Sequence, residues 1–173
     1  MRELQGYSVI AAILACSLSL VSCSGENGRY TEAVAPIEIR LQRVSADTDA
    51  VAASCKGAVK AEDVARVEEI QDRLSKLGFD FTSLMAPPDF AGRHTGMAKG
   101  IASEATGLSA LKGFCGRALQ MAVPVVTDAG SAQPDRQALQ KGMDGQWKYF
   151  EDNHAFFKAH LKIFSNAIQG GRK

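Results

Sequence analysis

Three histidines, His94, His154 and His160, are the side chains best suited to hold a metal or a haem. A metal site needs several such ligands within a few ångströms of one another. His154 and His160 are six residues apart and so do not share a helix face. His94 and His154 both fall on apolar stripes that face inward. If their helices run antiparallel through a connection at residues 123–133, the two sit about eight residues out of level. At 1.5 Å per residue that is roughly 12 Å, too far for one metal. His160 is closer in level to His94 but lies beside the stripe. No Cys-x-x-Cys-His haem attachment occurs, and the two Glu-x-x-His motifs that a di-iron bundle needs are not both present. The expectation is therefore no metal and no cofactor, with each histidine partly buried and hydrogen-bonded.

Enzyme chemistry finds no better footing. Gly-x-Ser-x-Gly, His-Glu-x-x-His and phosphate-binding glycine loops are all missing from the chain. The carboxylate pairs Glu68-Glu69 and Glu151-Asp152 read as solvated helix faces. The expected role is one of binding, without catalysis.

Two features point to binding surfaces. Gly92, Gly96, Gly100 and Gly107, with Ser103 among them, form a ridge of small residues on one helix face. Glycine inside a helix costs about 1 kcal/mol against alanine, so something must compensate for it. Either a neighbouring helix of the same chain approaches closely, or the ridge is the contact for a partner. The second feature is the run "WKYFEDNHAFF". Trp147, Phe150 and Phe157 lie on an apolar stripe, whereas Tyr149 and Phe156 lie off it. Those two either mark a contact surface or cover a second neighbour within the fold.

The elements that must position these residues are helices. Val34, Ile37, Leu41, Val44, Val51, Cys55 and Ala58 follow steps of three and four, with Thr48 on the same stripe. The Thr48 hydroxyl needs a partner such as a carbonyl one turn back. Pro36 suits only a first turn, which puts the helix start near it. Gly57 and "KAED" suggest a break. A second stripe, Val64, Val67, Ile70, Leu74 and Leu77, ends at Gly78 as a stop. "FDFTSLMAPPDF" reads as a connection, and Pro87-Pro88 as the start of a third helix reaching about Ala122. Its inward residues are Phe90, His94, Met97, Ile101, Leu108, Leu111 and Cys115. A fourth helix begins near Pro134, with Leu139, Met143, Trp147, Phe150, His154, Phe157, Leu161, Phe164 and Ile168 inward. "VPVV" at Val123 is the single candidate strand. The fold class expected is all-α, an up-down antiparallel four-helix bundle over residues 31–173.

Ahead of the bundle, a charged start is followed by an apolar run from Tyr7 to Val21. The run is short for a membrane span, which needs about 20 apolar residues, and has the order of a signal peptide. It closes on Leu20-Val21-Ser22-Cys23. These four residues resemble the lipobox of bacterial lipoprotein precursors. The resemblance implies a signal peptide at residues 1–22, cleavage before Cys23, diacylglycerol on its sulfur and a further acyl chain on its amine. Several acyl chains, at about 0.8 kcal/mol per buried methylene, hold a protein to a membrane. Residues 23–30, with "SGENGRY", read as a flexible tether reaching at most about 25 Å. By the same resemblance, Ser24 after the cysteine suggests the outer membrane in a Gram-negative cell.

Two of the four cysteines, Cys55 and Cys115, then remain as an even pair in an oxidising compartment. They are read as a disulfide or as two buried thiols. On an up-down path both lie near the ends of parallel helices, at a common level. A square bundle would set those helices on a diagonal, and a flatter packing would relieve that conflict. The stretch "LSKLGFDFTSLMAPPDFAGRHTG" is similar to a pattern in small helical-bundle bacterial lipoproteins, which implies a bundle and little more.

Charge is balanced, with 20 basic and 19 acidic residues mixed along the chain. No basic stripe offers itself to nucleic acid. The expected protein is a lipid-anchored envelope lipoprotein that binds an envelope protein as an adaptor or inhibitor. The alternative is a carrier of a lipid, haem or metal between helices near His94.

Overall fold

The computed structural model describes residues 25–122 and 136–170, and the regular structure among them is entirely helical. The helices are α1 (Glu26–Lys56), α2 (Ala61–Thr82), α3 (Pro88–Ala122) and α4 (Arg136–Gly170), packed as a helical bundle. The expected signal peptide, Cys23 and the "VPVV" stretch lie outside the described residues.

α1 starts at Glu26, ten residues ahead of Pro36, and residues 26–30 are helical where a tether was expected. Pro36 therefore sits inside the helix, at a cost of about 3 kcal/mol. Tyr30, Val34, Ile37 and Leu41 bracket it and are all buried. Their burial, at about 1.5–3 kcal/mol for a large apolar side chain, outweighs the proline. α1 ends where expected, at Gly57, whose N–H bonds the Ala53 and Ser54 carbonyls.

α2 opens on Asp63, whose carboxylate accepts from the Lys60 N–H at 2.8 Å and from the Ser54 hydroxyl at 2.9 Å. The helix passes through Gly78 and continues to Thr82, so Gly78 is no stop. A Cβ there would lie 3.1 Å from the Ile101 side chain, and the glycine serves instead to let α3 come close. The extra turn buries Phe81, which meets Phe164 edge-on with ring centroids 5.2 Å apart. The connection to α3 shrinks to residues 83–87. α3 then begins at Pro88 and runs to Ala122, as its prolines and stripe require.

The packing is flattened. α1 and α3 touch each other as well as α2 and α4, while the backbones of α2 and α4 stay apart among the described residues. Cys55 and Cys115 are joined by a disulfide, with Cα atoms 5.2 Å apart. At the other ends of the same helices, Asn27 donates to Asp89 at 2.8 Å. Val34, Leu41, Val44, Leu74, Leu108 and Leu111 are among the fully buried residues of one continuous core. Thr48 is buried with them, and its hydroxyl has no hydrogen-bond partner, contrary to the carbonyl contact expected for it.

Candidate functional site

The inward stripe of α3 carries a residue that is not apolar. Glu104 stands between Ile101 and Leu108, and its side chain is fully buried. A buried carboxylate is tolerated only when paired and hydrogen-bonded. The partner comes from α4: His154 Nδ1 lies 2.9 Å from both carboxylate oxygens. Nε2 of the same ring lies 3.0 Å from Asp49 on α1, and Lys158 reaches Asp49 at 2.8 Å. A chain of alternating charge thus leads from the core to solvent and ties three helices together.

Both neighbours of His154 are carboxylates, which only accept, so both ring nitrogens donate and the ring is an imidazolium. Burial alone would push its pKa down. Glu104 and then Asp49 outweigh that, and the His154 pKa is raised. For Asp49, partial burial pushes upward, while Lys158 and His154 pull its pKa below the carboxylate range. With each nitrogen engaged, His154 has no lone pair to take a proton from a nucleophile. The arrangement holds a proton and positions helices.

The glycine ridge makes this geometry available. A Cβ on Gly107 would lie 3.0 Å from the Asn153 Cβ and 3.7 Å from the His154 backbone nitrogen. A Cβ on Gly100 would lie 3.1 Å from the His160 Cβ and 3.7 Å from the Phe157 Cα. Gly96 faces the His160 ring, and Ser103 donates to the Asn153 side chain at 2.6 Å. Of the two readings of the ridge, a close neighbouring helix and a partner contact, the first holds at Gly96, Gly100 and Gly107, where α4 of the same chain packs. Gly92 alone of the four is open.

The other histidines go to separate places. His94 Nδ1 accepts from the Tyr30 hydroxyl at 2.7 Å, and its ring stacks on Phe81 at 4.2 Å. Burial pushes the His94 pKa down and the Tyr30 pKa up to about 12. A neutral imidazole accepting from a neutral phenol agrees with both directions. His160 packs on Phe156, with centroids 4.4 Å apart. Among the described residues, no group of three or more histidine, cysteine or acidic side chains is placed to hold a metal ion.

Two surface features complete the inventory. A groove of about 550 Å³ between α1 and α4 is lined by Ala52, Lys56, Trp147 and the Asp49–His154–Lys158 chain. Lys56 stands 4.7 Å over the Trp147 ring. On the outer side of α4, Tyr149, Phe156 and Ile163 are exposed. Tyr149 and Phe156 therefore do not vanish beneath a second neighbour.

Glu104 and Asp49 escape the sequence reading. Glu104 left a trace, because the stripe of α3 steps by seven from Ile101 to Leu108, and the skipped position is 104. Asp49 left none, being one charge among many on α1. No helix among the described residues is long and apolar enough to cross a membrane. Comparison with protein-family models, curated proteins and solved structures gave no match.

Proposed function

We propose that this chain is a lipid-anchored bacterial envelope lipoprotein that binds a helix of another envelope protein, as an adaptor or inhibitor. The observation that carries the binding role is the outer face of α4. Tyr149, Phe156 and Ile163 are exposed at intervals of seven residues. That spacing sets them in one row along the helix, the repeat by which one helix packs beside another. The partner face thus moves from the glycine ridge to the exposed row on α4.

The anchoring role rests on the lipobox and on Cys23, with removal of residues 1–22. The Cys55–Cys115 disulfide suits an oxidising compartment such as the envelope. Ser24 favours the outer membrane of a Gram-negative cell. The contacts Asn27–Asp89, Cys55–Cys115, Gly78–Ile101 and Gly107–Asn153 support an up-down-up-down path. A carrier role near His94 has less support, since Tyr30 and Phe81 already occupy that ring.

Photo-cross-linking in living cells from Tyr149, Phe156 and Ile163 tests the reading. One envelope protein should be captured from all three, with its linked residues about a heptad apart. Equal capture from Ala65 on α2, or none from α4, would overturn it. The Cys23→Ser change should separately leave an unprocessed precursor.

A further inference from the structure

The two most exposed large apolar side chains among the described residues lie at one end of the bundle. Met85 is 94% exposed and Phe79 is 74% exposed. Met85 belongs to the short turn between α2 and α3, and Phe79 to the last turn of α2. Around Met85 the turn reads "LMAPP", without a charge. This is the end at which α1 begins. Leu84, Met85 and Pro87 share a cleft of about 410 Å³ with Arg29 and Tyr30 from the first turns of α1. Glu26 also borders the cleft, so its charges cancel, and the apolar exposure is what distinguishes this end.

Chain length sets where this end sits. Cys23 precedes Glu26 by three residues. Three residues span at most about 10 Å in any conformation. The polar layer on each side of a bilayer is itself about 5–8 Å thick. If acyl chains hold Cys23 at the lipid surface, the first turn of α1 and the turn that shares a cleft with it stand within a few ångströms of the headgroups. An exposed methionine and phenylalanine are unfavourable in water and favourable in that layer.

We infer that the α2–α3 turn, through Met85 and Phe79, seats in the headgroup layer of the phospholipid bilayer that anchors Cys23. The inference rests on the lipid-anchor reading above. It adds a second attachment point, which fixes the bundle upright and presents the α4 face at a set height instead of letting it swing.

The test uses the full chain, processed in cells and reconstituted into phosphatidylethanolamine–phosphatidylglycerol vesicles with brominated acyl chains. Met85→Trp is compared with Ala65→Trp, which lies near the start of α2, at the opposite end. Trp147 stays in place as the common baseline, and the mass of the N-terminal peptide reports acylation. The expected result is a blue-shifted, bromine-quenched signal from Met85→Trp, with Ala65→Trp unquenched. Acylated protein in which Met85→Trp emits as in water would overturn the seated turn and leave the anchor standing. Protein without acyl chains would overturn both, since only the short reach from Cys23 brings this end to lipid.

Discussion

His94 and His154 occupy equivalent places in the sequence pattern and opposite chemical states in the fold. Both lie on the inward stripe of a long helix. His154 finds a carboxylate on each nitrogen and is held as a cation. His94 finds a phenol and a phenyl ring and is held neutral. A stripe position thus sets burial, while the residues brought from other helices set charge. Glu104 from α3 and Asp49 from α1 make one ring an imidazolium. Tyr30 from α1 and Phe81 from α2 make the other a neutral acceptor.

The comparison breaks most violently if the cation is removed. His154→Leu leaves Glu104 buried without its partner, and the expected loss is about 3–5 kcal/mol of stability. Chemical denaturation of the disulfide-intact protein measures it. The double change Glu104→Leu with His154→Leu should regain most of that loss, because a well-packed apolar pair often equals a buried ion pair. A loss below about 1 kcal/mol for the single variant would mean that Glu104 is not held as a charge.

Removing only the proton should cost less than removing the ring. The His154 pKa is raised above the ordinary 6.5, so the unfolded chain loses its proton first as pH rises. Its contribution is complete below 6.5 and is lost as pH climbs through the raised value. His94 runs the other way. Its pKa is lowered, so its contribution is complete above 6.5 and is lost as pH falls toward the lowered value. From these two rings, stability should peak near pH 6.5. Titration of the imidazole NMR signals should place His154 above that value and His94 below it.

A subtler change acts through the backbone. Gly107→Ala sets a Cβ 3.0 Å from that of Asn153 and pushes α4 away from Glu104. The expected cost is about 1–3 kcal/mol, as for other overpacked contacts. A fall in the His154 pKa should accompany it, which a purely steric effect elsewhere on α3 would not produce. The smallest effect belongs to the neutral site. Tyr30→Phe removes the hydroxyl that bonds His94 and should cost about 0.5–1.5 kcal/mol. The His94 titration should shift with it while that of His154 stays unchanged.

Much of the fold was legible in the chain. Gly57 as a break and Pro88 as a helix start follow from local backbone chemistry. Cys55 and Cys115 also fell at one level by residue counting. Local rules failed where distant residues supplied the energy. Pro36 is tolerated inside α1 because Tyr30 and Val34 bury against other helices. Gly78 does not stop α2 because Phe81 beyond it has Phe164 and His94 to pack on. At the candidate site only one sign was readable, the skipped position in the stripe of α3. The exposure of Tyr149 and Phe156 likewise depended on how many neighbours α4 would find.

Four helices, their inward faces, the lipobox-like run Leu20-Val21-Ser22-Cys23 and a cysteine pair could be read from the chain alone. These are local or periodic properties, decided by propensity and by the 3.6-residue repeat. Which helices touch, and so which histidine is charged and which glycines are covered, was settled by packing in three dimensions. Such pairings depend on side chains 50 to 105 residues apart, as in Glu104–His154 and Asp49–His154. Electrostatic and packing energies fall off within a few ångströms of space, and distance along the chain does not set distance in the fold.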